Sequence, residues 1–164
     1  MQLPYDKTDK NSILKYAKKL KGKSLRNLCD DKILQHGYCG KGNFGQLLEK
    51  FYFLYEPNSD SSADFEEVGL ELKTSPIKKL KSNQYRSKER LVLNIINYLE
   101  IIDQDFEHSS FWKKNANLLL VFYLHDLDVN VLDYMINLVD EWNFPATDLE
   151  IIKRDWETIK KKVV

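Results

Sequence analysis

The stretch Asp64-Phe-Glu-Glu-Val-Gly-Leu-Glu-Leu-Lys-Thr74 contains the pattern that decides the fold. From Val68 to Thr74 apolar and charged residues alternate, which is typical of a β-strand with one buried face. Two positions apart on such a strand, Glu71 and Lys73 lie side by side on the charged face. Asp64 comes from the preceding segment and can reach Glu71 across a turn. The stretch therefore predicts two carboxylates and one ammonium group at one place.

Two carboxylates about 5 Å apart repel each other by roughly 3 kcal/mol at an effective dielectric constant near 20. A divalent cation removes that cost. This segment offers oxygen ligands and no His or Cys, which favours Mg²⁺ or Mn²⁺ over Zn²⁺. The side chains of Asp64 and Glu71 and the backbone carbonyl of Leu72 would hold the metal, and Lys73 would orient the attacking water of a phosphodiester hydrolase. The spacing alone fits a solvated, salt-bridged strand equally well.

A helix is predicted from Asn43 to Tyr55, because apolar residues recur there at helical spacing. Glu49 lies off the apolar stripe and shares a second face with Gly45, Tyr52 and Phe53. Gly45 lies one turn earlier and has no side chain to obstruct the carboxylate. We expect this face to look into a cleft, where Glu49 would add a third acid.

The other elements follow from periodicity. A helix with Asp9 or Asn11 as cap and Gly22 as stop contains Ile13, Leu14, Ala17 and Leu20, and a short helix follows at Leu25 to Cys29. Buried strands are predicted at Leu118 to Leu124 and within Val131 to Trp142. Leu91 to Tyr98 fits both periods, and its β-branched residues favour a buried strand. Thr147 to Glu150 resembles a capping box, opening a helix with the stripe Leu149, Ile152, Trp156, Ile159 and Val163. The fold class is therefore α/β (α+β), a mixed central sheet flanked by helices.

Composition bounds the class of protein. The 164 residues are 43% hydrophobic and 30% charged, which fits one globular domain. A spanning helix and a signal peptide are not visible, so we expect a cytoplasmic bacterial protein without membrane contact. The net charge of +0 hides two blocks, because Glu56 to Glu71 contains six acids and no base, whereas Lys73 to Arg90 contains seven bases and one acid. Cys29 and Cys39 are expected to be reduced, and a zinc site of Cys29, His36 and Cys39 lacks a fourth ligand.

Several runs resemble the MutH mismatch-repair nicking endonucleases and the Sau-type restriction endonucleases that cut at GATC, both of which have the PD-(D/E)xK nuclease fold. They are Gly45-Gln-Leu-Leu-Glu49, the Asp64 to Thr74 stretch, Phe106-Glu-His-Ser-Ser110 with Lys113 and Lys114, and Asp155-Trp-Glu157. The run Ser87-Lys-Glu-Arg-Leu-Val-Leu-Asn-Ile-Ile-Asn-Tyr98 looks specifically like the Sau type.

The resemblance implies catalytic roles for Asp64, Glu71, Lys73 and Glu49. It adds Lys114 as a further active-site lysine, with Lys113 one register away, and it favours a strand at Leu91 to Tyr98. The implied metal ligands are Asp64, Glu71, Leu72 and Glu49, with Mg²⁺ as cofactor and Mn²⁺ as a substitute. Glu67 matches a recurrent acid without an assigned role.

The implied function is a type II restriction endonuclease that hydrolyses double-stranded DNA at GATC sites. Six basic residues after the catalytic strand would line the DNA backbone: Lys78, Lys79, Lys81, Arg86, Lys88 and Arg90. A MutH-like nickase and a non-catalytic DNA-binding or allosteric module remain as alternatives, and self-association on DNA stays open. Because relatives carry base-reading residues and a second domain after the last helix, we expect residues 1–164 to be the N-terminal catalytic domain of a longer enzyme.

Overall fold

The centre of the molecule is a four-stranded sheet with the spatial order β2-β1-β3-β4. The computed structural model of the chain describes residues 3–29, 44–57 and 62–163. The strands are β1 (Glu71–Lys79), β2 (Tyr85–Ser87), β3 (Leu118–Leu124) and β4 (Ile136–Trp142). β1 is parallel to β3, and the other two neighbouring pairs are antiparallel. A mixed sheet flanked by helices confirms the predicted fold class.

The helices flank this sheet. They are α1 (Lys10–Ala17), α2 (Leu25–Leu28), α3 (Phe44–Leu47), α4 (Tyr98–Ile101), α5 (Ser110–Asn115) and α6 (Ala146–Val163). α1 begins at the predicted cap Asp9, whose side chain accepts a hydrogen bond from the backbone N–H of Asn11. It continues as a 3₁₀ turn, Lys18–Leu20, and the chain turns at Gly22 with a φ of 76°. Among the described helices, none is long and apolar enough to cross a bilayer.

β3 is the central strand and confirms the prediction for Leu118 to Leu124. It is paired with β1 on one side and β4 on the other. Leu118, Leu119 and Val121 are fully buried. The apolar run is continuous because both faces of a central strand can be covered by other elements.

β1 begins later and ends later than predicted. Glu66–Val68 is a 3₁₀ turn, and Gly69 has a φ of 58°, a conformation that glycine adopts without strain. Phe65 and Leu70 form an antiparallel bridge across this turn. The strand then runs from Glu71 to Lys79, beyond the alternating stretch that predicted it.

The buried strand predicted at Leu91 to Tyr98 is wrong. Residues 91–97 have no regular structure, and α4 begins at Tyr98. Val92 and Ile95 are 68% and 86% exposed. The antiparallel pairing of β2 with β1 ends at Ser87, opposite Ile77, and residues 91–97 do not continue it in the described part of the sheet.

The last two elements need smaller corrections. Val131–Asp133 is a 3₁₀ turn, and β4 forms from Ile136. The capping box at Thr147 is wrong, because α6 begins at Ala146 and the carbonyl of Pro145 accepts the backbone N–H groups of Asp148 and Leu149. Proline before the first turn fixes φ at a helix-compatible value and so competes with a threonine cap.

Two hydrophobic clusters hold these elements together. The larger lies between the sheet and α1 to α3, and it includes Leu72 and Leu119. The smaller contains Ile101, Phe106 and Trp156, with the predicted α6 stripe packed against them. The clusters leave a cleft between α3, the start of β1 and α5, with a cavity of about 340 Å³.

Candidate active site

Asp64 and Glu71 are held together at the start of β1. Asp64 Oδ2 accepts the backbone N–H of Leu72 at 2.9 Å, and Glu71 Oε2 accepts the backbone N–H of Asp64 at 3.2 Å. The 65–70 turn makes this possible by returning the chain beside itself. The Glu71 side chain is 4% exposed. Two carboxyl groups are thus fixed at one wall of the cleft.

Lys73 lies on the same face of β1 as Glu71. Its Nζ donates to Glu71 Oε1 at 2.9 Å, and its side chain is 18% exposed. Leu72, between them, points into the larger hydrophobic cluster and also contributes to the cleft wall. The strand alternation thus places the acid and the amine together, because side chains two residues apart share a face.

α5 brings a second lysine from 41 residues further along the chain. Lys114 Nζ lies 3.8 Å from Glu71 Oε1, and Lys114 lines the cleft. Lys113 is exposed and is not among the cleft residues. Of the two neighbouring lysines, the structure therefore brings Lys114 to the acids.

Glu49 comes from a π-helical turn, Leu48–Phe53, that continues α3. Glu49 and Gly45 line the cleft. Tyr52 and Phe53, which a regular helix would place on the same face, are buried in the larger hydrophobic cluster instead. A π-turn has more residues per turn than an α-helix. The helical periodicity assumed from the sequence therefore no longer predicts which face the residues after Glu49 occupy.

Burial and mutual repulsion dominate the electrostatics of the acids. Desolvation, together with the charges of Asp64 and Glu71, raises the pKa of Glu49 to about 7. Desolvation and the Asp64 charge raise the pKa of Glu71 to about 7, although Lys73 and Lys114 oppose this. Burial also raises the pKa of Asp64. Without a cation, Glu49 and Glu71 therefore tend to hold protons near neutral pH.

The donor chemistry fits a hard divalent cation. Carboxylate oxygens on a half-buried wall are ligands that Mg²⁺ prefers. Within the described ranges, however, no group of three or more His, Cys, Asp or Glu side chains is arranged as a metal cage. Glu71 instead contacts Lys73, and Asp64 accepts the Leu72 N–H. The residues match the metal in type, and a side-chain rearrangement is needed to surround it.

Sequence reasoning missed several cleft residues. Ser75 is 3% exposed and follows Lys73 on the same strand face, so continuing the alternation would have found it. Gln46 and Glu89 also line the cleft. No pattern in the sequence marks Glu89, because its place depends on how the chain returns after β2.

The basic hairpin consists of β1, β2 and the residues that follow them. It contains Lys78, Lys79, Lys81, Arg86, Lys88 and Arg90, all of them exposed. Lys78 pairs directly with Arg86 across the two strands. Lys88 contacts Glu89 and His125, at 3.4 Å and 3.3 Å. Arg90 lines the cleft itself, so the positive surface is continuous with the acidic site.

The proposed zinc alternative is only partly within the described structure. Cys29 is a free thiol whose Sγ donates to the Phe51 carbonyl, and burial raises its pKa to about 11. A thiol in this state is a poor metal ligand. His36 and Cys39 lie outside the described residues.

A mixed sheet whose strand β1 begins with Glu71 and Lys73, with Asp64 held beside them by the preceding turn, is typical of a restriction-endonuclease-like nuclease fold. The sequence model of the MutH family, described as "DNA mismatch repair enzyme MutH", matches residues 53–155, more than half of the chain. The chain belongs to the MutH family.

Two curated relatives fit this assignment. The type II restriction enzyme Sau3AI of Staphylococcus aureus is 38% identical over 156 residues, which are 94% of this chain and 31% of that protein. The DNA mismatch repair protein MutH of Buchnera aphidicola subsp. Baizongia pistaciae (strain Bp) is 23% identical over 155 residues, 93% of this chain and 69% of that protein. The chain thus spans less than a third of the restriction enzyme and about two thirds of the repair protein.

Proposed function

We propose that the chain hydrolyses phosphodiester bonds of double-stranded DNA at GATC sites, as the catalytic part of a type II restriction endonuclease that uses Mg²⁺. The observation that carries the proposal is the convergence of Asp64, Glu71, Glu49, Lys73 and Lys114 on one cleft. Sau3AI, the relative with the higher identity, is named as a type II restriction enzyme. GATC as the site rests on the family resemblance of the sequence.

The cation would be held by Asp64, Glu71 and the Leu72 carbonyl, with Glu49 as an additional acid, and Mn²⁺ would substitute for Mg²⁺. When bound, it supplies positive charge that stabilises the developing negative charge on the scissile phosphate. The site's own preference for protons near neutral pH supports this assignment. A cation satisfies the same buried negative charge that a proton satisfies in its absence.

Lys73 orients the attacking water and takes part in its deprotonation. Its Nζ is held by Glu71 at 2.9 Å, so its position depends on that acid. Lys114, whose Nζ lies 3.8 Å from the same Glu71 oxygen, would neutralise a phosphate oxygen. Attack by water on phosphorus, with departure of the 3′ oxygen, leaves 5′-phosphate and 3′-hydroxyl ends.

On this proposal, the six lysine and arginine side chains of the basic hairpin contact DNA phosphates. Arg90 reaches the cleft, whereas Lys78, Lys79 and Arg86 continue along the hairpin away from it. These contacts give affinity without sequence information. A duplex laid along the hairpin would place one phosphate at the acids.

Cleavage of a supercoiled plasmid tests the proposal. We expect the chain to cut a GATC plasmid in Mg²⁺ and not in EDTA, and Asp64→Ala and Glu71→Ala to lower the rate on the order of 10²–10³-fold or more. Asp128→Ala, an exposed loop acid, is the matched control and should cut at the wild-type rate. Folded Asp64→Ala and Glu71→Ala proteins with wild-type activity would remove the metal site.

The products of the same plasmid cleavage distinguish a restriction enzyme from the second candidate function, a MutH-like nickase. The match of the MutH family model favours that second candidate. A nickase accumulates open circles, whereas a restriction enzyme produces linear DNA. Adenine-methylated and unmethylated plasmids, compared side by side, measure the methylation preference. Binding without cleavage in any divalent metal would instead support a non-catalytic DNA-binding module.

A further inference from the structure

The hydroxyl group of Tyr55 is a buried donor without a hydrogen-bond partner in the described residues. Buried tyrosine hydroxyl groups usually find a partner, since an unsatisfied polar group in the interior is destabilising. An exception in a folded protein therefore requires an explanation. The hydroxyl group lies close enough to the acids of the cleft for the charges of Asp64, Glu49 and Glu71 to act on its pKa.

Tyr55 contacts the backbone of one acid, Glu49, and the chain neighbour of another, Asp64. Its backbone N–H donates to the Glu49 carbonyl at 3.2 Å. Its ring packs edge-on against Phe65, the neighbour of Asp64, with ring centres 5.6 Å apart. Leu54, in a left-handed conformation with a φ of 60°, turns the chain into this position.

The surroundings keep the phenol protonated and therefore able to donate. Burial is the main cause that raises its pKa, and the charges of Asp64, Glu49 and Glu71 raise it further. In the structure, Asp64 accepts the Leu72 N–H and does not accept from Tyr55. Surrounding a cation requires the carboxylates to reorient, as described above.

We propose that Tyr55 is a positioning residue whose hydroxyl group donates a hydrogen bond to the Asp64 carboxylate when a divalent cation is bound, and so fixes that ligand. The inference rests on the proposed function, because it requires Asp64 to be a metal ligand. Hydrogen bonds from residues that do not themselves touch the metal orient its ligands, and their loss commonly weakens metal affinity 10–100-fold. On this proposal, the Tyr55 hydroxyl group has no acceptor among the described residues of the metal-free protein and finds one, the Asp64 carboxylate, when the cation is bound.

Calorimetric titration of the metal-free chain with Mn²⁺ tests this without measuring activity. Tyr55→Phe retains the ring and its contact with Phe65. We expect it to bind Mn²⁺ at least about tenfold more weakly, with a metal-free melting temperature equal to or above that of the wild type. Wild-type Mn²⁺ affinity in folded Tyr55→Phe would overturn the inference.

Tyr5→Phe is the matched control. Tyr5 also packs edge-on against Phe65, but its hydroxyl group already donates to the Phe53 carbonyl at 2.7 Å. We expect this variant to lose metal-free stability and to keep the wild-type Mn²⁺ affinity. Equal losses of affinity in both variants would show a packing effect and also overturn the inference.

A double-mutant cycle separates an effect through Asp64 from a general effect of Tyr55→Phe on the fold. If Tyr55 acts through Asp64, Tyr55→Phe should weaken Mn²⁺ binding less in an Asp64→Asn background than in the wild type. Additive losses would overturn the inference. A wild-type chain that binds Mn²⁺ and cuts DNA while Tyr55→Phe is unaffected refutes the inference alone, whereas a wild type without Mn²⁺ binding refutes the metal site as well.

Discussion

At the scale of single residues, the cleft contains carboxyl groups whose ionised form is destabilised by the fold. The Glu71 side chain is almost fully buried beside Asp64. Its ion pair with Lys73 does not compensate fully, since the pKa of Glu71 is raised to about 7 rather than lowered. Removal from water and the neighbouring carboxyl group outweigh the lysines. The metal-free protein thus bears an electrostatic cost at this cleft, which a bound cation would remove on the proposed function.

At Glu49 this cost predicts how the free energy of unfolding depends on pH. Its pKa is about 7 in the fold and about 4.5 when unfolded. A group with a raised folded pKa contributes stability that is fully present below about pH 4.5 and is lost as pH rises through 7. In EDTA, we expect Glu49→Gln to be more stable than the wild type at pH 8, by on the order of 1–3 kcal/mol, and equally stable near pH 4.5. Denaturant titrations at several pH values measure this.

Glu157→Gln, on the exposed side of α6, is the control and should follow the wild type at every pH. Addition of Mg²⁺ should reduce or reverse the advantage of Glu49→Gln, because the wild type alone then has the full acid set. Parallel pH profiles for the wild type and Glu49→Gln in EDTA would contradict the electrostatic description.

At the scale of elements, the basic hairpin carries like charges in direct opposition. Lys78 and Arg86 are cross-strand partners, an arrangement that destabilises an isolated hairpin. A polyanion lying across the strands relieves the repulsion. On the proposed function, the hairpin would therefore be better matched to the DNA-bound state than to the free one.

Replacing Lys79, Lys81 and Arg86 by alanine tests this surface. Each phosphate contact contributes about 0.9 to the slope of log K against log salt. We expect the triple variant to lower that slope by up to about 3 for any duplex, whether or not it contains GATC. Fluorescence anisotropy at several salt concentrations measures it.

Three exposed lysines of the N-terminal helical segment form the control set: Lys15, Lys18 and Lys21. Their replacement should leave the slope close to that of the wild type. If the hairpin variant keeps the slope and the control lowers it, DNA lies along the N-terminal helix instead.

At the scale of the whole molecule, the two hydrophobic clusters divide the support of the site. The larger cluster holds β1, which carries Glu71, and α3 with the π-helical turn that continues it and carries Glu49. The smaller cluster holds α6 against the segment around α5, which carries Lys114. The cleft therefore depends on both clusters keeping their relative positions.

Trp156→Ala tests this division. Trp156 is 4% exposed and contacts Phe106 edge-on, so we expect a loss of about 3–5 kcal/mol in the free energy of unfolding. Hydrogen exchange should rise in α5 and α6 more than in β3. Ile151→Ala, at a half-exposed position of α6, should change stability by less than about 1 kcal/mol. Equal loss of protection in β3 and α6 would show one cooperative unit.

Much of the fold follows from local sequence. The buried run at β3, the Asp9 cap and the α6 stripe are short-range patterns, and each is present in the structure. The alternation around Glu71 likewise predicts that Glu71 and Lys73 share a face, since the period of a strand is fixed by backbone geometry. These features need no knowledge of the rest of the molecule.

Other features were decided by tertiary structure. Leu91 to Tyr98 has the composition of a buried strand, but the pairing of β2 with β1 ends before it and its apolar side chains Val92 and Ile95 are exposed. The approach of Lys114 to Glu71, the position of Glu89 and the unpaired Tyr55 hydroxyl depend on contacts between distant segments. A residue's type and spacing determine which face it occupies, whereas burial, pKa and partners depend on what the folded chain places against that face.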